Sequence, residues 1–303
     1  MTQRREGIDH SLYRHSPGPD RPPWQWPARA RLAFCVFIYF EYWELDPPTT
    51  ALHDPRFDGP LGDLFPNYRA YTQFEYANRI GIFRILALLD RYHLTATLAA
   101  NAGACTRYPF LVSEFNRRGY EFAAHGSFAT RMMSSRMGEA EQRAEIAGAA
   151  ATIEAMTGRR PRGWISQDFG ESGITPHLLA QERFAYVADW GNDDQPYFMA
   201  TDPALLSIPN QAELDDVQLI WHRRVAPPVY RDTVCEAFSS LHHEGGTSGV
   251  FFGLHIHPWL LGMPHRIGYL EDVIARIMAV GNVWHTTAGG VTDYVIERGQ
   301  SKV

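Results

Sequence analysis

Residues 31 to 40 read "RLAFCVFIYF", with apolar, β-branched and aromatic side chains following one another without alternation. A strand with one wet face alternates polar and apolar positions, so the unbroken run predicts a strand buried on both faces. The period then changes. From Phe74 to Tyr92, Ile80, Phe83, Leu86 and Leu89 fall on one face of a predicted helix, and "TATLAA" (95 to 100) follows as a strand. A short helix near 109 to 118 leads into "YEFAAHG" (120 to 126). The Ala- and Glu-rich run from Gly138 to Thr157 reads as a helix closed by Gly158 and Pro161. Strands over 162 to 166 and 184 to 190 flank a helix near 175 to 182. The final third predicts a helix over 229 to 243, the strand "GVFFGLHIH", a helix over 266 to 279, the strand "NVWHT" and a closing helix over 287 to 298.

Such alternation argues for an α/β fold of parallel strands joined by helical crossovers, closed or nearly closed as a (β/α) barrel. Residues 1 to 30 are rich in Pro, Arg and Trp and lack any period, which predicts an extended arm lying over the surface or a neighbouring subunit. Residues 31 to 303 then form a single catalytic domain. Between them and the first helix, residues 45 to 72 read as a long Pro-rich loop, and loops of that length in compact domains are usually functional.

Composition narrows the function classes. With 45% hydrophobic and 13% aromatic residues, 303 positions are ample for a large core. The net charge of −6, from 28 Lys plus Arg against 34 Asp plus Glu, and the lack of a basic stripe argue against nucleic acid or an anionic membrane as partner. No apolar run approaches a spanning helix, and the first residues lack a signal-type stretch, so a cytoplasmic location is expected. Cys35, Cys105 and Cys235 are far apart without a Cys-x-x-Cys pair, and are expected to be small buried hydrophobes.

In barrels of parallel strands the chemistry lies at the C-terminal strand ends. Here those ends carry "FEYWE", "HGSF", "QDFGES", "DWGNDDQPY" and "HIHPW", while the opposite ends ("RAR", "RRGY", "GRRPR") are mostly basic. Carboxylates and imidazoles thus cluster on one side, which points to an enzyme. There is no nucleophile elbow, phosphate loop or dinucleotide fingerprint, which removes acyl-serine chemistry, phosphoryl transfer and hydride transfer as leading ideas. Carboxylates with imidazoles suit hydrolysis, in which a carboxylate or metal-bound hydroxide supplies water and an imidazolium protonates a nitrogen leaving group.

Taken in order, "FEYWE", "HG", "RRPRGW", "DWGNDDQPY" and "LHIHPWLLGMPHR" resemble the polysaccharide deacetylase superfamily (carbohydrate esterase family four-like) over residues 30 to 295. They are similar in particular to the branch with cyclic imide hydrolases and cofactor-independent allantoinases. The resemblance implies a distorted (β/α) barrel, and makes His257, in "HPWLLGMP", the matching late-strand histidine. Typical members carry Phe-Asp-Asp, whose first aspartate is the base and second a metal ligand, and a His-x-x-x-His ligand pair. This chain has Glu41 at the base position, Tyr42 at the ligand position, His125 as the first histidine and Ala129 at the second. A catalytic metal normally needs three protein ligands. Either the site works without metal, or one divalent metal such as zinc is held by a set rebuilt from Glu41, Glu44, His125 and His257.

Glu41 and His257 are therefore the expected pair for proton transfer, with His255 as orienter of His257 or a packed core histidine. Asp193 and Asp194 are adjacent and point apart, so one is expected to reach the site while the other holds the turn. Trp43, Trp164, Trp190, Tyr197 and Trp259 are expected to line a small, partly apolar substrate pocket, and Glu171 either contacts substrate or caps a helix. His265, His242 and His243 read as surface groups. The leading expectation, implied mainly by the resemblance, is hydrolysis of a C–N bond in a small cyclic amide or imide. An N-deacetylase of a sugar or peptidoglycan fragment, and an inactive binding protein on the same fold, are the alternatives. Relatives in this branch are commonly oligomers, so a homo-oligomer is expected, with "PPWQWP" as a subunit clasp.

Overall fold

In the computed structural model, which describes residues 8–49, 51 and 66–300, the apolar run becomes β1 (Leu32–Phe40), buried at every position. Its alternation is hidden because both faces are apolar. Ala33, Cys35, Phe37 and Tyr39 face the barrel interior cluster, whereas Leu32, Phe34, Val36, Ile38 and Phe40 pack with the surrounding helices. The other strands are β2 (Thr97–Ala100), β3 (Glu121–Ala124), β4 (Gly163–Trp164), β5 (Tyr186–Val187), β6 (Tyr197–Phe198), β7 (Leu206–Ser207), β8 (Val250–Ile256) and β9 (Val283–His285). They form one curled sheet in the order β6-β7-β5-β4-β3-β2-β1-β8, with β9 beside the start of β1, and all pairings except β6 with β7 are parallel.

The barrel is distorted because its last strands do not meet. Across the opening, Phe251 N donates to the Asp194 carbonyl at 2.9 Å, and Gln211 takes the place of a strand: its amide nitrogen donates to Phe251 O at 3.1 Å and its amide oxygen accepts from Gly253 N at 3.0 Å. Backbone groups of β8 that a neighbouring strand would satisfy are thereby paired.

Helices α1 (Tyr68–Tyr76) and α2 (Ile82–Arg91) are joined by a wide π turn over Ala77–Gly81. That turn corrects the predicted buried face. Ile80 and Phe83 are 45% and 39% exposed, while Ile82, Ile85, Leu86, Leu88 and Leu89 are buried, because a π turn adds residues to the turn and rotates everything after it. The helix also starts earlier than predicted, inside the expected loop, where the Asn67 side chain accepts from Ala70 N at 3.0 Å and caps it. The centre of the expected loop, residues 52–65, lies outside the described residues. Then come α3 (Ala102–Arg107), which was not foreseen, α4 (Pro109–Arg117), α5 (Glu139–Thr157), α6 (Thr175–Gln181), α7 (Pro227–Glu244), α8 (Ile267–Met278) and α9 (Ala288–Gln300), all near their predicted places. Among the described residues no helix is long and apolar enough to cross a membrane. The three cysteines are free and buried.

The described part of the arm lies against its own chain. The Trp26 indole donates to Val250 O at 2.7 Å and packs beside Trp284, Trp24 stacks on Tyr294, and Arg21 donates to both carboxylate oxygens of Asp193 at 2.7 and 2.6 Å. The tryptophans read as a subunit clasp thus make their contacts within the chain.

Candidate active site

Glu41 follows the last residue of β1, His125 the last of β3 and His257 the last of β8. Register brings the first and third together. Phe37 lies beside His255, so two residues on, Tyr39 stacks on His257 with ring centroids 3.8 Å apart. A cleft with about 390 Å³ of empty space, part of it open to solvent, lies above them, lined by Tyr39, Glu41, Trp43, Gln167, Asp215, His257 and Trp259 among others. Its rim includes Asp168 and Phe169, whose φ values of 48° and 55° place two consecutive non-glycine residues in the left-handed region. Strain of this kind persists where surrounding contacts enforce it, and it clusters at functional sites.

Glu41 and His125 touch. His125 Nδ1 lies 2.6 Å from the Ile165 carbonyl, and Nε2 lies 3.4 Å from Glu41 Oε1. The Trp43 indole approaches the other Glu41 oxygen at 3.5 Å. Burial pushes Glu41 up, but the His125 hydrogen bond and the nearby His257 charge outweigh it and hold the carboxyl below its ordinary value.

His257 is held by residues that sequence reasoning missed. Its Nδ1 donates to Asp216 Oδ1 at 2.6 Å and its backbone N to Asp216 Oδ2 at 2.9 Å, while Asp215 Oδ2 lies 3.8 Å from the same ring nitrogen. Burial would discharge the imidazole, but the two aspartates prevail and raise it to about 9. Asp215 is itself raised to about 6 by burial, with the His257 charge opposing. Its Oδ1 accepts from Val217 N at 2.8 Å and Gln218 N at 3.2 Å, capping the turn that follows. The signal in "AELDDVQLIW" was a capping aspartate before an apolar run. The strand before it is only two residues long, too short to give a period that would have placed the pair at a strand end.

His255 is buried, bonds Tyr39 Oη through Nδ1 at 2.9 Å, and is driven down to about 3 by burial and the His257 charge. It therefore stays neutral and reaches His257 only through the Tyr39 ring, whereas the direct orienter is Asp216. The turn after His257 is fixed by close packing: a Cβ on Gly262 would lie 2.3 Å from Pro258 O and 2.5 Å from Gly81 Cα, so only glycine fits.

Several expected site residues lie elsewhere. Asp193 is clamped by Arg21, and Asp194 gives its carbonyl to Phe251, six residues or about 20 Å of strand from His257. Trp190 and Tyr197 pack against Tyr13 of the arm, and Tyr197 donates to Asn192. Trp164 is a core residue against Phe184, with its indole satisfied by Ser166 Oγ at 2.7 Å. Glu171 does not line the cleft, and burial with the nearby Asp189 charge raises its carboxyl well above the ordinary value. Trp43 and Trp259 do line it.

Glu44 is engaged by Arg131 at 2.7 and 3.0 Å and by Thr130 at 2.6 Å, not gathered with His125. At the remaining metal positions of the resemblance, Tyr42 packs its ring among Tyr71, Tyr108 and Phe128, and Ala129 offers a buried methyl. Asp215, Asp216 and His257 do offer ligand atoms within 4.8 Å of one another, and in this structure His257 Nδ1 donates to Asp216 Oδ1. The usual three-ligand set of one aspartate and two histidines therefore does not fit the residues at these positions.

Three comparisons with known proteins agree with the fold. Residues 69–171 match the family model described as polysaccharide deacetylase. A Schizosaccharomyces pombe protein whose name places it among the polysaccharide deacetylases is 23% identical over 296 residues, covering 86% of this chain and 89% of that protein. The PuuE allantoinase structure superposes with a TM-score of 0.80 at 24% identity, covering 91% of this chain and 94% of that one. A Pseudomonas aeruginosa PAO1 structure named as a polysaccharide deacetylase gives the same score and identity over 91% and 95%.

Proposed function

We propose that this chain, whose residues 69–171 match the polysaccharide deacetylase family model, hydrolyses a C–N bond in a small cyclic amide or imide by water attack on a carbonyl. One observation carries the reading: a carboxyl held low and an imidazole held high line the same small cleft. At neutral pH, Glu41 is the carboxylate and His257 the imidazolium, which are the states a base and an acid need at the start.

Glu41 takes a proton from water as its oxygen bonds to the carbonyl carbon. His257 gives its Nε2 proton to the ring nitrogen as the C–N bond breaks, because Nδ1 is committed to Asp216. The product is a ring-opened carboxylic acid with an amine or amide end. It loses its proton to solvent, and Glu41 and His257 return to their starting states through water. Trp43 and Trp259 supply apolar walls to a flat ring.

The names of relatives favour N-deacetylation of a sugar or peptidoglycan fragment as second reading. The replaced ligand positions, Tyr42 and Ala129, favour the first. Turnover of hydantoins, cyclic imides and N-acetyl sugars, measured with chelator and with added zinc, tests both. Ring opening that survives chelation is expected. Activity on N-acetyl sugars alone would move the assignment to the second reading, and hydrolysis of none would leave a binding protein. A homo-oligomer is part of the proposal, and a monomeric mass by light scattering would remove it.

A further inference from the structure

Three polar side-chain atoms of cleft-lining residues have no hydrogen-bond partner: Gln167 Oε1, Asp215 Oδ2 and Trp259 Nε1, of which the last two belong to the more deeply buried residues. Asp215 Oδ2 accepts no hydrogen bond and Trp259 Nε1 donates none, although both residues are only 2% exposed and both line the cleft. Leaving a buried donor or acceptor unmade costs about 1–3 kcal/mol, so such atoms in a native wall call for an explanation. Their neighbours do not provide one. The other Asp215 oxygen is used by Val217 and Gln218, and the nearest cationic atom, His257 Nδ1, points its hydrogen at Asp216. The Trp259 ring is wedged edge-on between Phe74 and Trp221, which fixes it without offering its N–H an acceptor.

A bare acceptor and a bare donor lining one cleft match a ligand that carries an N–H and a carbonyl together. We infer that Asp215 and Trp259 form a substrate-positioning pair, Asp215 Oδ2 accepting a ring N–H and Trp259 Nε1 donating to a ring carbonyl, so that the site takes rings with an unsubstituted imide or ureide N–H. The inference rests on the hydrolase reading for its ligand class but concerns binding. Asp215 is a positioning residue that itself takes up no proton in the steps assigned to Glu41 and His257, although its charge helps to keep His257 protonated.

Calorimetric binding of succinimide and N-methylsuccinimide tests it, using Glu41→Gln protein so that neither ring is opened. Succinimide should bind at least about tenfold tighter, the usual worth of a hydrogen bond to a charged acceptor. Asp215→Asn keeps an oxygen to cap Val217 and Gln218 and turns an N–H donor toward the ligand, so the preference should collapse to within about twofold or reverse. Trp259→Phe should weaken both ligands by a similar factor, and Asp216→Asn should leave the preference between them intact. Circular dichroism confirms that each variant is folded. If the parent preference is absent, if Asp215→Asn retains it, or if neither ring binds at millimolar concentration, the inference is overturned. Failure of turnover alone would sink the hydrolase reading and leave this result standing.

Discussion

The chain contains two Asp-Asp dipeptides near strand ends, Asp193-Asp194 and Asp215-Asp216, and the fold uses them in opposite ways. Asp193 meets a guanidinium. Arg21 clamps both its oxygens, and because an arginine never gives up its proton the pair can fasten the arm but move no charge. Asp216 meets an imidazole, fully buried, and sets both its tautomer and its charge. Adjacent aspartates alone therefore mean little, and the cation the fold places opposite them decides whether they are a fastener or part of an acid.

The largest effect should come from removing the acidic member of the second pair. Asp216→Asn frees the His257 tautomer and should lower turnover by about 10²-fold or more, as Glu41→Gln and His257→Ala should. Asp193→Asn should stay within a few-fold of the parent on the same substrate. Equal losses from Asp193→Asn and Asp216→Asn would break the distinction.

The pH profile sharpens it further. The acid form of His257 is present below about 9, so kcat/KM should fall as pH rises through that value, and the limb should move to lower pH in Asp216→Asn. Stability follows the same sign. A histidine raised above its ordinary value contributes stability fully present below about 6.5 and lost as pH rises through about 9. Urea midpoints should drop over that window in the parent and drop less in Asp216→Asn. A parent profile flat to pH 10 would contradict the assignment.

A smaller effect belongs to the fastener. Arg21→Ala removes a partly exposed two-toothed ion pair and should cost about 1 kcal/mol, read as a lower urea midpoint, with turnover unchanged. A loss of turnover would mean that the arm shapes the cleft.

The contrast also explains what was legible beforehand. β1 and β8, long and apolar, announced themselves, and Glu41 and His257 follow from being the first polar groups after them. The strands from β4 to β7 are two residues each, so their ends could not be located from periodicity. "DWGNDDQPY" reads as a strand end reaching the cleft, but its Asp194 carbonyl accepts from Phe251 N near the start of β8. Asp215 and Asp216 then entered from a stretch that had no readable period. Trp164 misled for a related reason: an aromatic on a buried two-residue strand can face either the cleft or the helical layer, and only the register with β5 shows that it packs outward.

The smallest expected effect concerns the third histidine of "HIHPWLLGMPHR". His255 lies under the cleft, His257 in its wall, and His265 exposed on the turn before α8, past the Gly262 contact that carries the chain away from the cleft. Only a group that touches the reacting atoms or their hydrogen-bonded supports can change turnover by orders of magnitude. An exposed side chain outside such features changes stability by at most about 0.5 kcal/mol. His265→Ala should therefore leave the urea midpoint and kcat/KM indistinguishable from the parent, including on the alkaline limb near pH 9. If that limb moves in His265→Ala, it reports the wrong histidine, and the pairing of Asp216 with His257 loses its strongest kinetic signature.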